Sequence, residues 1–410
     1  MTLRIVGGVA IHPCQRLQLA DFLVILASVR TYELFELRPA PARVKAAAVE
    51  AALAIGVPVA VGAALGHTAF GLVGCLGAFS ALYGARLAAG PRARLVVLVA
   101  AGLTLSAFLG KLAAGNAWLS VSMIAAVAAV AVFVCLATGT GPPGGYMFTL
   151  VTAATTHIPP GHIGRDTALV AAGAAAAALI AICGSRLAPV RASTSTPASI
   201  PTSNPTPTSA SASTSPETGT STETVPPESA SSAPPKPDRW TDRLKLLITA
   251  SFNHSSPVGP AAARAALAAF LAGAAAYLLD LPHYSWAAAA AVAVAGPGLH
   301  VAATLSRGLH RAVGTVIGIF LAAAVVSLHP SGAALVAVLM ALQVVVGLLV
   351  ARNYALGVCF ITPLALLIAD SASATTDQVS LLGTRLAATL VGCAIGIGVT
   401  LLAGDSASQT

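Results

Sequence analysis

Charge is what this sequence has least of. Only 9% of its 410 residues are Asp, Glu, Lys or Arg, whereas 56% are apolar and the mean hydropathy is +0.84. A soluble domain carries about a quarter of its residues as charges, so water is not the main solvent of this chain. Aromatic residues are also scarce, at 5%. The six cysteines, Cys14, Cys75, Cys135, Cys183, Cys359 and Cys393, form no CxxC pair, and all but Cys14 fall inside apolar segments. They read as small packing residues, not as a disulfide framework or zinc site. There is no Walker A run, no G-x-S-x-G and no H-E-x-x-H, so the chain carries no signature of an ATPase, a serine hydrolase or a zinc protease, and no metal or cofactor is expected. A secretory leader is not expected either: Ile5 to Ile11 is a very short apolar run with no A-x-A pattern after it.

What the sequence does have is long apolar runs. A bilayer core of about 30 Å is crossed by about 20 apolar residues in a helix, and a helix is the form that satisfies its own backbone in lipid. Segments near that length recur at Val44 to Leu65, Ala69 to Leu87, Leu95 to Leu112, Ala117 to Ala137, Gly144 to Ile158 and Thr167 to Leu187. A second set follows at Ala261 to Leu281, Ser285 to Leu305, Ala312 to Leu328, Gly332 to Val350, Tyr354 to Ala369 and Leu386 to Ala403. The expectation is an all-α membrane protein of about twelve transmembrane helices, built as two parallel six-helix repeats over residues 44–187 and 260–403. Residues 188–238 join them. Ala192 to Pro237 is almost wholly Ser, Thr, Pro and Ala, a composition too poor in apolar surface to fold, so a disordered tether is predicted. Residues 239–254 place Trp240, Leu244 and Leu247 near one helical face, the pattern of a short amphipathic helix. Residues 1–43 form an N-terminal segment in which Leu17 to Val29, too short to span, reads as an interfacial helix or as the product of a mis-assigned start codon.

The net charge of +8 would suggest nucleic acid as a partner of a soluble protein. Here the placement of the 22 basic residues accounts for it better: with alternating spans, all but Lys111, Arg165 and Arg385 fall on one side. The positive-inside rule then puts both termini and the tether in the cytoplasm. The halves align at an offset of 216 residues, which matches Leu65, His67, Phe70 and Gly102 with Leu281, His283, Trp286 and Gly318. Arg165 and Arg385 likewise precede Gly173 and Gly392 in the two sixth segments. With an even number of spans in each half, such a repeat is parallel, and substrate sites of parallel repeats lie between the halves.

In the second half, Leu281-Pro282-His283-Tyr284-Ser285-Trp286 is followed by Arg311-Ala312-Val313-Gly314-Thr315-Val316-Ile317-Gly318. Tyr354-Ala355-Leu356, Thr362-Pro363 and Thr389-Leu390-Val391-Gly392 come after these. This series resembles the fusaric acid resistance (FUSC) and aromatic acid exporter families of membrane transporters, over about residues 260–403. The resemblance implies export of aromatic or related organic acids across a bacterial plasma membrane, driven by the proton gradient. Related passive anion channels share such features, and a non-transporting scaffold that recruits partners through the tether is a third reading.

Several residues are candidates for that work. Glu50 is the one acidic residue well inside a predicted span. Such a carboxylate is costly unless paired, solvated or protonated, which makes it a proton-coupling candidate; the competing reading pairs it with Arg43 or Arg94 near the membrane surface. The fifth segments are short or Pro-interrupted in both halves, a pattern that marks midplane binding sites. Tyr146, Thr149, Thr152, Tyr354 and Thr362 would supply hydroxyls there, unless the segments are packing kinks alone. Arg165 and Arg385 suit a carboxylate substrate because a guanidinium fork matches it bidentately, although Asp166, and Asp370 or Asp377, offer structural partners. Arg307 and Arg311, one turn apart, mark a cytoplasmic anion mouth or simple topology anchors. His67 and His283 hold matched loops as interfacial residues able to titrate near neutrality. Gly spacings such as Gly314 to Gly318 permit close helix contact and are compatible with a homo-oligomer.

Overall fold

The computed structural model describes residues 43–187, 256–296, 301–370 and 378–403, together with positions 37, 39 and 249. Apart from those positions, the expected N-terminal segment, tether and amphipathic helix lie outside the described residues. Among the described residues the chain is helical, with no strand.

The first half contains α1 (Val44–Ala64), α2 (Thr68–Cys75) continued by a 3-10 turn at Gly77–Leu82, α3 (Ala89–Ala113), α4 (Ala117–Ala137), α5 (Tyr146–Thr155) and α6 (Ile163–Leu187). The second contains α7 (Val258–Leu278), α8 (Tyr284–Ala295), α9 (Val301–Val326), α10 (Gly332–Leu349), α11 (Tyr354–Asp370) and α12 (Gln378–Ala403). Their locations follow the apolar runs. Polar caps are few: Asn116 accepts from Leu119 N at 3.0 Å to open α4, and Asn353 accepts from Leu356 N at 3.0 Å to open α11.

Twelve segments do not give twelve full spans. Eight helices are long and apolar enough to cross a bilayer; α2, α5, α8 and α11, the second and fifth of each half, are shorter. Ala69 to Leu87 and Ser285 to Leu305, expected as continuous spans, both stop early. Gly77, whose missing side chain lets it sit against Val170 O and Ala174 of α6, marks where α2 tightens into its 3-10 turn. α8 ends at Gly296 with φ 26°, a conformation glycine tolerates, and Pro297 follows it. The predicted break at Thr362-Pro363 is absent, since α11 runs through Pro363. Proline there cannot donate to Cys359 O, and that carbonyl faces Gly318 of α9, where a side chain would collide with it.

Packing assembles these helices in corresponding ways. In the first half α1 packs on α2 and α6, α2 on α6, α3 on α5 and α6, and α4 on α5. In the second half α7 packs on α8 and α12, α8 on α12, α9 on α11 and α12, and α10 on α11. Between halves, α1 lies on α10 and α7 on α4, while α5 and α4 both reach α8. α8 is buried on every side from Ser285 to Ala295, as expected of a helix apolar all round. Ser285 Oγ donates to Ala153 O of α5 at 3.0 Å. Exposed apolar side chains such as Val97, Leu98, Val130, Leu179 and Phe320 lie on the long outer helices, the surface a lipid solvent requires.

Candidate anion site between the halves

Arg311 stands about 15 Å along α9 and is 4% exposed. Its Nη1 donates to Tyr354 Oη at 3.0 Å and its Nη2 to Tyr146 Oη at 3.3 Å. The Tyr146 ring lies 5.7 Å from the guanidinium carbon. Tyr354 opens α11 and Tyr146 opens α5, so both halves close on one guanidinium group. Each phenol accepts from Arg311 and keeps its own O–H to donate. Arg307, one turn earlier and exposed, lies over the Tyr354 ring at 5.9 Å. The tyrosines expected at a midplane site and the arginine expected at a cytoplasmic mouth therefore form one cluster.

Arg385, near the start of α12, is 5% exposed. Its guanidinium carbon lies 4.9 Å from the Trp286 ring, and Trp286 stacks on His283 with centroids 4.3 Å apart and planes at 20°. Arg311 on α9 and Arg385 on α12 come from helices that pack on each other. Among the described residues neither has a carboxylate at ion-pairing distance, and the Nε of each lacks a hydrogen-bond partner. His283 lies in the turn between α7 and α8; burial, then the charge of Arg385, holds its imidazole below the ordinary 6.5. Sequence reasoning missed His157, which follows α5 and lies 5.1 Å from His283 and 5.1 Å from Tyr284 by ring centroids. His157 Nε2 and His283 Nδ1 have no hydrogen-bond partner.

The first half repeats this geometry with different electrostatics. Arg165 lies 4.8 Å from the Phe70 ring, which stacks on His67 at 5.2 Å and 25°. Here, however, Asp166 pairs with Arg165 Nε at 2.9 Å and Lys111 Nζ at 2.9 Å. Lys111 also donates to Pro159 O at 2.6 Å. The Arg165 side chain remains 45% exposed.

The other candidates are engaged elsewhere. Thr362 Oγ1 donates to Val358 O at 3.0 Å, and Thr152 Oγ1 lies 3.0 Å from Phe148 O and 3.2 Å from Ser106 O. Thr149 Oγ1 meets Gly145 O at 3.3 Å. These hydroxyls satisfy helix backbone. Glu50 bonds Arg92 Nη2 at 2.6 Å and Arg43 Nη2 at 3.1 Å, and Arg43 also donates to Gly184 O at 3.2 Å. Its second partner is thus Arg92, not Arg94. The cluster ties α1, α3 and α6 together.

A bundle of long apolar helices around short buried ones, with charged groups tied together inside it, defines a multi-pass membrane protein. Residues 271–399 match the family described as fusaric acid resistance protein-like. That range includes His283, Trp286, Arg311, Tyr354 and Arg385, and leaves out Tyr146. A Bacillus subtilis (strain 168) protein named uncharacterized membrane protein YvaC is 34% identical over 167 residues, which are 41% of this chain and 26% of that relative. The match thus spans about a quarter of the relative's length. No solved structure matches the chain.

Proposed function

We propose that this chain is a secondary transporter of small organic anions, exporting an aromatic or related acid across a bacterial plasma membrane at the expense of the proton gradient. The observation that carries this reading is the pair of buried arginines, Arg311 and Arg385, held by aromatic groups at the contact of the two halves without a carboxylate among the described residues. Charges inside a membrane span are costly and mark substrate pathways. The match at residues 271–399 supports the same reading. Both guanidinium groups are buried, which favours a carrier that opens alternately over a continuously open pore.

We read the twelve helices as two parallel six-helix repeats, in which the short second and fifth helices lie within the bundle. The corresponding packing of the halves and the repeated His–aromatic–Arg stacks support this. The distribution of basic residues supports a cytoplasmic location for both termini and the tether. Arg385, Arg311, Tyr146 and Tyr354 are assigned to the anion, Arg307 to its inner approach, and Arg165, Thr152 and Thr362 to structure. Glu50 is assigned to joining α1, α3 and α6.

Reconstituted protein should accumulate or release organic anions in response to a proton gradient, and Arg311→Ala and Arg385→Ala, inserted at normal levels, should lose this. Anion flux in both variants equal to wild type sinks the site. For topology, single cysteines at Ser199, Gly161 and Ala374 in a cysteine-free background should be labelled from outside only at the last two.

A further inference from the structure

The charge at the site restricts what can occupy it. Arg311 and Arg385 each hold a fixed positive charge in the apolar interior, 4% and 5% exposed. The groups described around them are phenols, an indole and an imidazole, which supply donors and π-faces but no negative charge. A monoanion would offset one arginine and leave the other as an uncompensated charge in a medium where that is costly. A dianion offsets both.

The open donors agree with this count. Arg385 makes its cation–π contact while its buried Nε has no acceptor, a donor that a carboxylate would satisfy. On Arg311 the Nη groups are held by Tyr354 and Tyr146, and Nε is without a partner. An acid group there would take one N–H from the guanidinium and the O–H groups of the phenols. The two stations come from different helices, α9 and α12, which pack on each other. The first half builds no equivalent: Arg165 already has a carboxylate, Asp166, which it shares with Lys111, and at the offset that pairs Gly102 with Gly318, the position of Arg311 is Leu95.

Resting on the reading that this site holds the transported anion, we propose that the cargo is a small dianion, with one acidic group at Arg311 between Tyr146 and Tyr354 and the other at Arg385 beside Trp286.

The test is uptake by liposomes containing the full chain, with matched acids: benzene-1,4-dicarboxylate against benzoate, and succinate against butyrate. Wild type should half-saturate at a concentration at least about tenfold lower for each diacid than for its monoacid, since tenfold is a modest share of what an unpaired buried charge costs. Arg311→Gln and Arg385→Gln should each abolish or reverse that preference. Equal or better handling of the monoacids by wild type overturns the dianion assignment while leaving anion transport intact. Transport of neither class by inserted protein overturns this proposal and the transporter reading together. The side chains of Asp370 and Asp377 lie outside the described residues, so the double variant Asp370→Asn/Asp377→Asn is included. A diacid preference that emerges only in that variant means that these acids supply the missing charge, and it overturns the assignment as well.

Discussion

Glu50→Gln distinguishes a structural ion pair from a proton carrier. Glu50 lies between Arg92, whose side chain is 0% exposed, and Arg43, at 12%. The amide keeps the size of the side chain and removes the charge, leaving Arg92 buried beside a second guanidinium. Removing one partner of a buried pair costs about 3–5 kcal/mol. Arg43 can turn toward solvent and recover part of this, so about 3 kcal/mol is expected. In a chain of this size that lowers the melting temperature by about 3–4 °C, measurable by thermal unfolding in detergent. Adding Arg92→Met should restore much of the loss, because the bare cation goes with it. Gly184→Ala should resemble Glu50→Gln, since a Cβ at 184 would overlap Glu50 Oε1. With the fold retained, proton-driven efflux should continue. A Glu50→Gln protein that melts like wild type but has lost proton-driven efflux would refute the ion-pair account and make Glu50 the proton carrier.

Tyr146→Phe and Tyr354→Phe each remove one hydrogen bond to Arg311, so each should weaken anion affinity by about 3- to 10-fold, read as half-saturation in exchange. Gly318→Val should prevent α11 from seating on α9, because Cys359 O and Thr362 occupy the space of its Cβ; normal yield and melting temperature would contradict that packing. His283 is held below 6.5 in the fold, so the unfolded chain binds more protons as pH falls through 6.5. Stability from this residue is complete above 6.5 and declines below it; melting curves of wild type and His283→Phe should therefore converge or cross toward acid pH.

The sequence pattern makes the all-helical class and the order of the apolar helices legible because apolar length is a local property. It also finds both arginines and both tyrosines. It does not join them, because the Arg311 contacts with Tyr146 and Tyr354 depend on how α5, α9 and α11 meet. Hydropathy overestimates the second helices, since alanine-rich sequence continues past Gly77 and toward Gly296 without a drop in apolarity. Thr362-Pro363 misleads for a different reason: a proline interrupts a helix less where its neighbour presents a glycine to the freed carbonyl. The stacks were partly within reach, as Phe70 with Trp286 and Arg165 with Arg385 are matched pairs.

Under the proposed function, Asp166 also bears on how many anions the protein can hold. Two matched His–aromatic–Arg stacks could load two anions, but one carboxylate closes the first, while Leu386 at the corresponding place leaves the second open. Under the proposed function each chain would then carry a single strong site, so anion saturation is expected to be hyperbolic with a Hill coefficient near one, which exchange measured against substrate concentration checks.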